Sequence, residues 1–219
     1  MHYINIHTHK DFKQKFTVQN LFPEETDQIK ATGYYSVGIH PWEVQNTNID
    51  KSLSIVHEAA SLQNVLAIGE IGLDKFKDAF NLQTHVFLKQ VDIAVTSKKP
   101  IIIHCVKAYS ELLSILKEKQ LSIPVIIHRY SGNKTIADQL IKFGSYLSFG
   151  HELFNERSKV QKVFRTLPDE NIFLETDDSD ISLEDIYEKA ADLRNISIEK
   201  LQKIIIANFR NCFQIEVNQ

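Results

Sequence analysis

Six of the nine histidines fall at or just beyond the carboxyl ends of short apolar runs. They are His7 and His9 after Tyr3-Ile-Asn-Ile, His40 after Tyr34–Ile39, His104 after Pro100-Ile-Ile-Ile, His128 after Pro124-Val-Ile-Ile, and His151 after Ser148-Phe149-Gly150. Two carboxylates share that placement, Glu70 in Ala67-Ile-Gly-Glu-Ile-Gly and Asp177 in Phe173-Leu-Glu-Thr-Asp. Imidazole nitrogens and carboxylate oxygens drawn from several strands can surround a divalent metal, and a metal that keeps an open position activates water for hydrolysis. Singly, each residue has an ordinary explanation. His7-Thr8-His9 puts two imidazoles on one side of an extended chain, a pattern that is more often incidental than ligating. Glu70 could cap the next segment, His104 and His128 could be satisfied core histidines, and Asp177 beside Glu175 and Asp178 could be a solvated acidic loop. Independent accidents would not set all of them on one rim, and the joint pattern points to a metal site. His2, His57 and His85 lie off it and receive no role.

Such a rim requires parallel strands. Runs rich in β-branched and aromatic residues occur at Tyr3–Ile6, Phe16–Leu21, Tyr34–Ile39, Val65–Gly69, Ile101–His104, Val125–His128, Tyr146–Phe149 and Ile172–Leu174. Several are apolar throughout, as strands covered on both faces are. Helical spacing fills most intervals, at Asp50–Leu62, Gln83–Ser97, Tyr109–Lys119, Lys134–Phe143 and Glu156–Leu167, with Asp185–Arg194 and Ser197–Phe213 closing the chain. Alternation of this kind implies βαβ units, and eight strands imply a (β/α)8 TIM-type barrel, compact and irregular in its first strands, where the connections after Ile6 and Leu21 are too short or polar for full helices. In such a barrel the carboxyl ends of the strands converge on one face. The 219 residues suit a single domain spanning 1–219.

With 25 basic and 28 acidic side chains the net charge is −3, so a polyanion must be held by a local cluster or by bound cations. Cys105 and Cys212 form no spaced motif and read as free thiols of a reducing compartment. The opening Met-His-Tyr-Ile-Asn-Ile lacks a signal-peptide pattern, and no apolar run reaches membrane-spanning length. The expectation is a cytoplasmic protein, monomeric, with no membrane partner.

Six blocks together resemble the TatD-type metal-dependent deoxyribonucleases of the amidohydrolase superfamily: Asn5-Ile-His-Thr-His, Gly38-Ile-His-Pro-Trp, Ala67-Ile-Gly-Glu-Ile-Gly-Leu-Asp, Pro100-Ile-Ile-Ile-His, Ile127-His-Arg-Tyr-Ser-Gly and Leu174-Glu-Thr-Asp. They run in family order, with a family-like Asn208-Phe209 near the end. The resemblance implies one metal on His7, His9, Glu70 and Asp177, and a second on Glu70, His104 and His128, with Glu70 bridging. It implies that His40 lines the pocket, and that the substrate is DNA, single-stranded or at its 3′ ends, trimmed by phosphodiester hydrolysis. Two cations would neutralise the phosphodiester and lower the pKa of bound water, with Asp177 as general base and His40 holding substrate or the departing oxygen. A mixed imidazole and carboxylate set suits zinc, manganese or nickel; magnesium, also admitted, prefers fewer nitrogens.

The chain departs from the family pattern in three places. Val106 stands where an arginine is common, and Arg129 or Lys107 is the expected replacement for gripping phosphate. Asn5 stands where an aspartate often precedes the first histidine. The chain also runs short between Leu21 and Tyr34. His151 adds a rim imidazole that could contact substrate. Two other readings stay open: a hydrolase of this architecture acting on a small amide, lactone or phosphate ester, and a binding protein that keeps metals for structure alone.

Overall fold

The computed structural model describes residues 2–10 and 16–217. Eight strands form one sheet in chain order: β1 (Asn5–Thr8), β2 (Thr17–Leu21), β3 (Tyr34–Val37), β4 (Val65–Asp74), β5 (Ile101–Val106), β6 (Val125–Ile127), β7 (Tyr146–Phe149) and β8 (Ile172–Leu174). Every neighbouring pair is parallel. Asp177, just past β8, bridges back to Thr8 at the end of β1, which nearly closes the barrel. The α-helices of the described residues are α1 (Ile49–Ala59), α2 (Phe80–Ser97), α3 (Tyr109–Lys119), α4 (Lys134–Lys142), α5 (Lys159–Thr166), α6 (Leu183–Arg194) and α7 (Ile198–Phe213). None is long and apolar enough to cross a membrane.

The strands form where branched aliphatic residues run together, and those of β6 and β8 are buried throughout, as sheet covered on both faces demands. The helices begin where a short polar side chain can take up a free backbone N–H. Asn48, Asn133, Ser158, Ser182 and Ser197 each accept such a bond at the start of α1, α4, α5, α6 and α7. The start of α5 at Lys159, three residues after the expected Glu156, follows from that cap. The irregular opening is also present: a 3-10 helix, Pro23–Gln28, joins β2 to β3, and the segment from β3 to α1 carries His40 and Trp42. Cys105 and Cys212 are free and buried. Burial pushes the Cys105 thiol up to about 12.

Strand β4 departs most from expectation. It continues five residues past Gly69, all buried, so Glu70 sits inside a strand rather than at its end. The glycines that read as punctuation are sites of close approach instead. A Cβ on Gly69 would lie 2.7 Å from Cβ of Ile102. Gly72 has φ +151°, and a Cβ there would meet the His104 carbonyl oxygen at 1.9 Å. The pairing of β4 with β5 shifts register between Ile68 and Ile71, around Glu70. Gly72→Ala should therefore push β5 and His104 away from β4, costing about 2–3 kcal/mol. Thermal unfolding should show Tm lowered by about 4–12 °C; an unchanged Tm would mean that β5 yields freely.

Candidate metal centre

Glu70 is buried, and its two carboxylate oxygens face different partners. Oε2 lies 3.4 Å from Nε2 of His7 and 3.2 Å from Nε2 of His9. Oε1 lies 2.7 Å from Nδ1 of His104, 3.1 Å from Nε2 of His128 and 3.3 Å from Nε2 of His40. Asp177 completes the first group, with Oδ1 3.7 Å from His7 Nε2 and 3.6 Å from His9 Nε2. Burial alone would raise the Glu70 carboxyl, but the charge on His128 and the hydrogen bonds from His104, His128 and His40 hold it well below the usual range. Burial likewise opposes ionisation of Asp177, and the nearby His7 ring with the charge on His128 holds it ionised.

These side chains are aimed by partners behind them. His128 presents Nδ1 to Oε1 of Glu175 at 2.9 Å, and the same oxygen accepts from the Arg129 backbone N–H at 2.7 Å. With Nδ1–H donated to Glu175, Nε2 faces Glu70 and, once deprotonated, would offer its lone pair to a metal, the carboxylate–histidine arrangement found behind metal ligands. Asp74 does the same for His104, with Oδ2 3.4 Å from Nε2. Asp74 also accepts the Trp42 indole N–H at 2.7 Å and the Phe76 backbone N–H at 2.8 Å. His40 differs. Its Nδ1 accepts the Trp42 backbone N–H at 3.2 Å, so the neutral ring carries its proton on Nε2 and offers a donor, not a lone pair, to the centre. Burial depresses the His40 pKa and keeps the ring neutral.

The ends of the barrel are sewn at the same point. Asn5 donates to Thr176 Oγ1 at 2.8 Å and accepts the Thr176 backbone N–H at 3.1 Å, which ties β1 to the segment beyond β8. Asp177 takes a left-handed backbone, φ 53°, with its N–H on the His7 carbonyl. Asn5 thus fastens, without charge, the strand that carries His7 to the segment that carries Asp177.

The donor set fits divalent metal. Among the described residues neither ring nitrogen of His7 has a hydrogen-bond partner, although the ring is fully buried, a costly arrangement unless something else takes the lone pair. Five imidazoles crowd one carboxylate that offers about four lone-pair sites, so hydrogen bonding alone cannot satisfy them. Ligands at about 2.0–2.1 Å around a tetrahedral ion sit about 3.3–3.5 Å from one another, close to the separations among His7, His9, Glu70 and Asp177. Candidate ligand atoms of His7, His9 and Glu70, of His7, His128 and Asp177, and of His40, Glu70 and His104 each lie within 4.8 Å of one another, although the His40 tautomer turns a donor rather than a lone pair to the third group.

The family model described as TatD related DNase matches residues 11–214. The chain belongs to the TatD-related DNase family. It is a metal-dependent hydrolase of that family, with buried histidine and carboxylate clusters for the metal. It is 28% identical over 209 residues to the uncharacterised metal-dependent hydrolase YabD of Bacillus subtilis, covering 88% of this chain and 80% of that one. It is 29% identical over 189 residues to the 3′-5′ ssDNA/RNA exonuclease TatD of Citrobacter rodentium, covering 82% and 71%. The solved structure of the TatD homologue YJJV from Escherichia coli superposes with TM-score 0.88 at 21% identity, covering 98% of both chains, which bears out the barrel.

The remaining sequence candidates separate. Arg129 and His151 line the same cleft as the ligands, a space of about 590 Å³. The Arg129 guanidinium is engaged there, with Nε on Glu152 at 2.6 Å, Nη1 on Asp177 Oδ2 at 3.1 Å and Nη2 3.1 Å from His151 Nε2. Lys107 lies instead in a neighbouring hollow with Tyr109, Ser110 and Asn133. Its left-handed backbone, φ 54°, turns the chain at the end of β5. Sequence reading assigned nothing to Asp74 and Glu175, although both stand inside the quoted blocks. A carboxylate two residues before a ligand, or closing an apolar strand, is the signal that would have found them. Glu175→Gln should weaken zinc binding about 10- to 100-fold, read by competition with a chromogenic chelator; unchanged affinity would leave His128 oriented by packing alone.

Proposed function

We propose that this chain hydrolyses phosphodiester bonds of nucleic acid, trimming single strands or 3′ ends, with a two-metal centre. His7, His9, Glu70 and Asp177 would hold one ion, and Glu70, His104 and His128 would hold the other. The observation that carries this reading is the division of Glu70, one oxygen turned to His7 and His9 and the other to His104 and His128. When bound, the ions neutralise the phosphodiester and bring the pKa of water toward neutrality, from about 15.7.

The chain's own residues supply the rest. Asp177, ionised and at the cleft wall, accepts the proton of the attacking water through Oδ2, the oxygen turned away from His7 and His9, when Arg129 swings from it to the substrate phosphate. His40, neutral and carrying its proton on Nε2, donates a hydrogen bond to the phosphoryl or departing oxygen. Arg129 lines the same space, and its guanidinium replaces the cation missing at Val106. His151 contacts the Arg129 guanidinium within that cleft. The name 3′-5′ ssDNA/RNA exonuclease on relatives at 28–29% identity supports the choice of substrate.

A second reading rests on the ties of Arg129 to Glu152 and Asp177, which leave a narrower grip on a long polyanion and suit a small phosphate ester or amide. Turnover of a 5′-labelled single-stranded oligonucleotide against a panel of small esters and amides separates the two. Progressive shortening from the 3′ end, abolished by chelator and restored by manganese or zinc, is the expected result; turnover of the small substrates alone would overturn the nuclease reading. Arg129→Ala should raise KM for a phosphodiester about 10- to 100-fold, the worth of one charged hydrogen bond, whereas an unchanged KM would remove Arg129 from substrate binding.

A further inference from the structure

The cleft mouth carries two aromatic rings that folding does not bury. Phe76 is 74% exposed and Trp42 is 48% exposed, among the few large apolar side chains left in water, and both line the metal cleft. A lone exposed aromatic needs no explanation, but two beside a polar centre do. Neither is on a loose segment. The single Asp74 carboxylate holds the Trp42 indole through Oδ2 and the Phe76 backbone through Oδ1. Gln83 pins the rest of that turn, accepting from the Asp74 N–H at 2.8 Å and donating to the carbonyls of Asp74 and Asp78 at 3.1 and 3.0 Å. Because Asp74 also backs His104, the Trp42 ring and the Phe76 backbone are fixed relative to the candidate ligands, with the Trp42 ring 5.9 Å from the His104 ring. The Lys77 ammonium rests over the Trp42 ring at 4.3 Å, so a π face there takes a cation from solvent.

We propose that Trp42 and Phe76 form a stacking platform for an unpaired nucleobase next to the scissile phosphate, which makes the substrate a single-stranded polynucleotide. This rests on the phosphodiesterase reading above and adds the recognition of bases. Base–aromatic stacking outweighs an exposed cation–π contact, so an arriving base displaces Lys77 and frees its ammonium for an adjacent phosphate. A base paired in a duplex has its faces already stacked and cannot use the platform. Every base has a π face, so the selection is for single strands rather than for sequence.

Trp42 is the chain's one tryptophan, so its emission reports this site alone. Zinc-loaded protein is titrated with a hydrolysis-resistant, phosphorothioate-linked oligothymidylate, and with a strand of equal length and linkage whose sugars carry no bases. Binding is read independently by anisotropy of end-labelled strands. The platform predicts that the base-bearing strand quenches Trp42 and binds about tenfold more tightly than the abasic one. Phe76→Ala, a change at an exposed side chain, should erase most of that difference. Equal affinity for the two strands with Trp42 emission unmoved would overturn the platform, and ordinary oligonucleotides still shortened by the enzyme would then leave the phosphodiesterase reading standing. Quenching and base-dependent binding without hydrolysis of any strand would keep the platform and sink that reading. Failure of both strands to bind would overturn the platform outright.

Discussion

A carboxylate shut away from water must be neutralised where it stands, and Glu70 stands inside the barrel with five imidazoles around it. Isolated, that charge would be among the most destabilising groups in the chain. Surrounded by five imidazoles, it is the shared element of the candidate ligand set. Much of the surrounding structure follows from placing it there. Strand β4 must run on past Gly69, β5 must come close at Gly72, and the register must shift between Ile68 and Ile71 so that Glu70 faces inward. Asp74 and Glu175 fix the faces of His104 and His128, while Asn5 and Thr176 fasten the strands that carry His7 and Asp177.

The rim carries a backbone cost as well. Lys107, Arg129 and Asp177, after β5, β6 and β8, all adopt left-handed backbone, which disfavours side chains by roughly 1–2 kcal/mol each. At Asp177 the turn puts the carboxylate beside His7 and His9 while its backbone closes the barrel against Thr8. At Arg129 it lets the backbone N–H reach Glu175 while the guanidinium reaches Asp177. Strain of this kind persists only where neighbours over-determine it, and at Arg129 and Asp177 the neighbours belong to the candidate metal centre.

The barrel was readable because its strands are short, apolar and regularly spaced, and because Ser197 marks the start of the last helix in a plain residue type. Other helix starts were less readable. Helix α2 begins at Phe80 rather than Gln83, after Ala79 in left-handed backbone with no side-chain cap to mark it, and α6 begins at Leu183 rather than Asp185. The gathering of His7, His9, Glu70, His104, His128 and Asp177 was legible from their common place after apolar runs. The protonation of His40 was not, since it depends on a backbone N–H at Trp42. Nor was the difference between Arg129 and Lys107, two cations each just past a strand: only the folded chain turns one into the cleft and the other out of it.

The aromatic mouth and the acidic, imidazole-lined floor belong to one construction, because Asp74 holds a candidate ligand with one oxygen and the rim with both. A change at the rim is therefore felt at the floor. The most direct test of Glu70 as the shared element is diffraction from zinc-soaked crystals on both sides of the zinc absorption edge. The structure predicts two anomalous peaks, one between Glu70 and the His7–His9 pair and one between Glu70 and the His104–His128 pair. A single peak, or peaks that leave the Glu70 carboxylate uncoordinated, would contradict it.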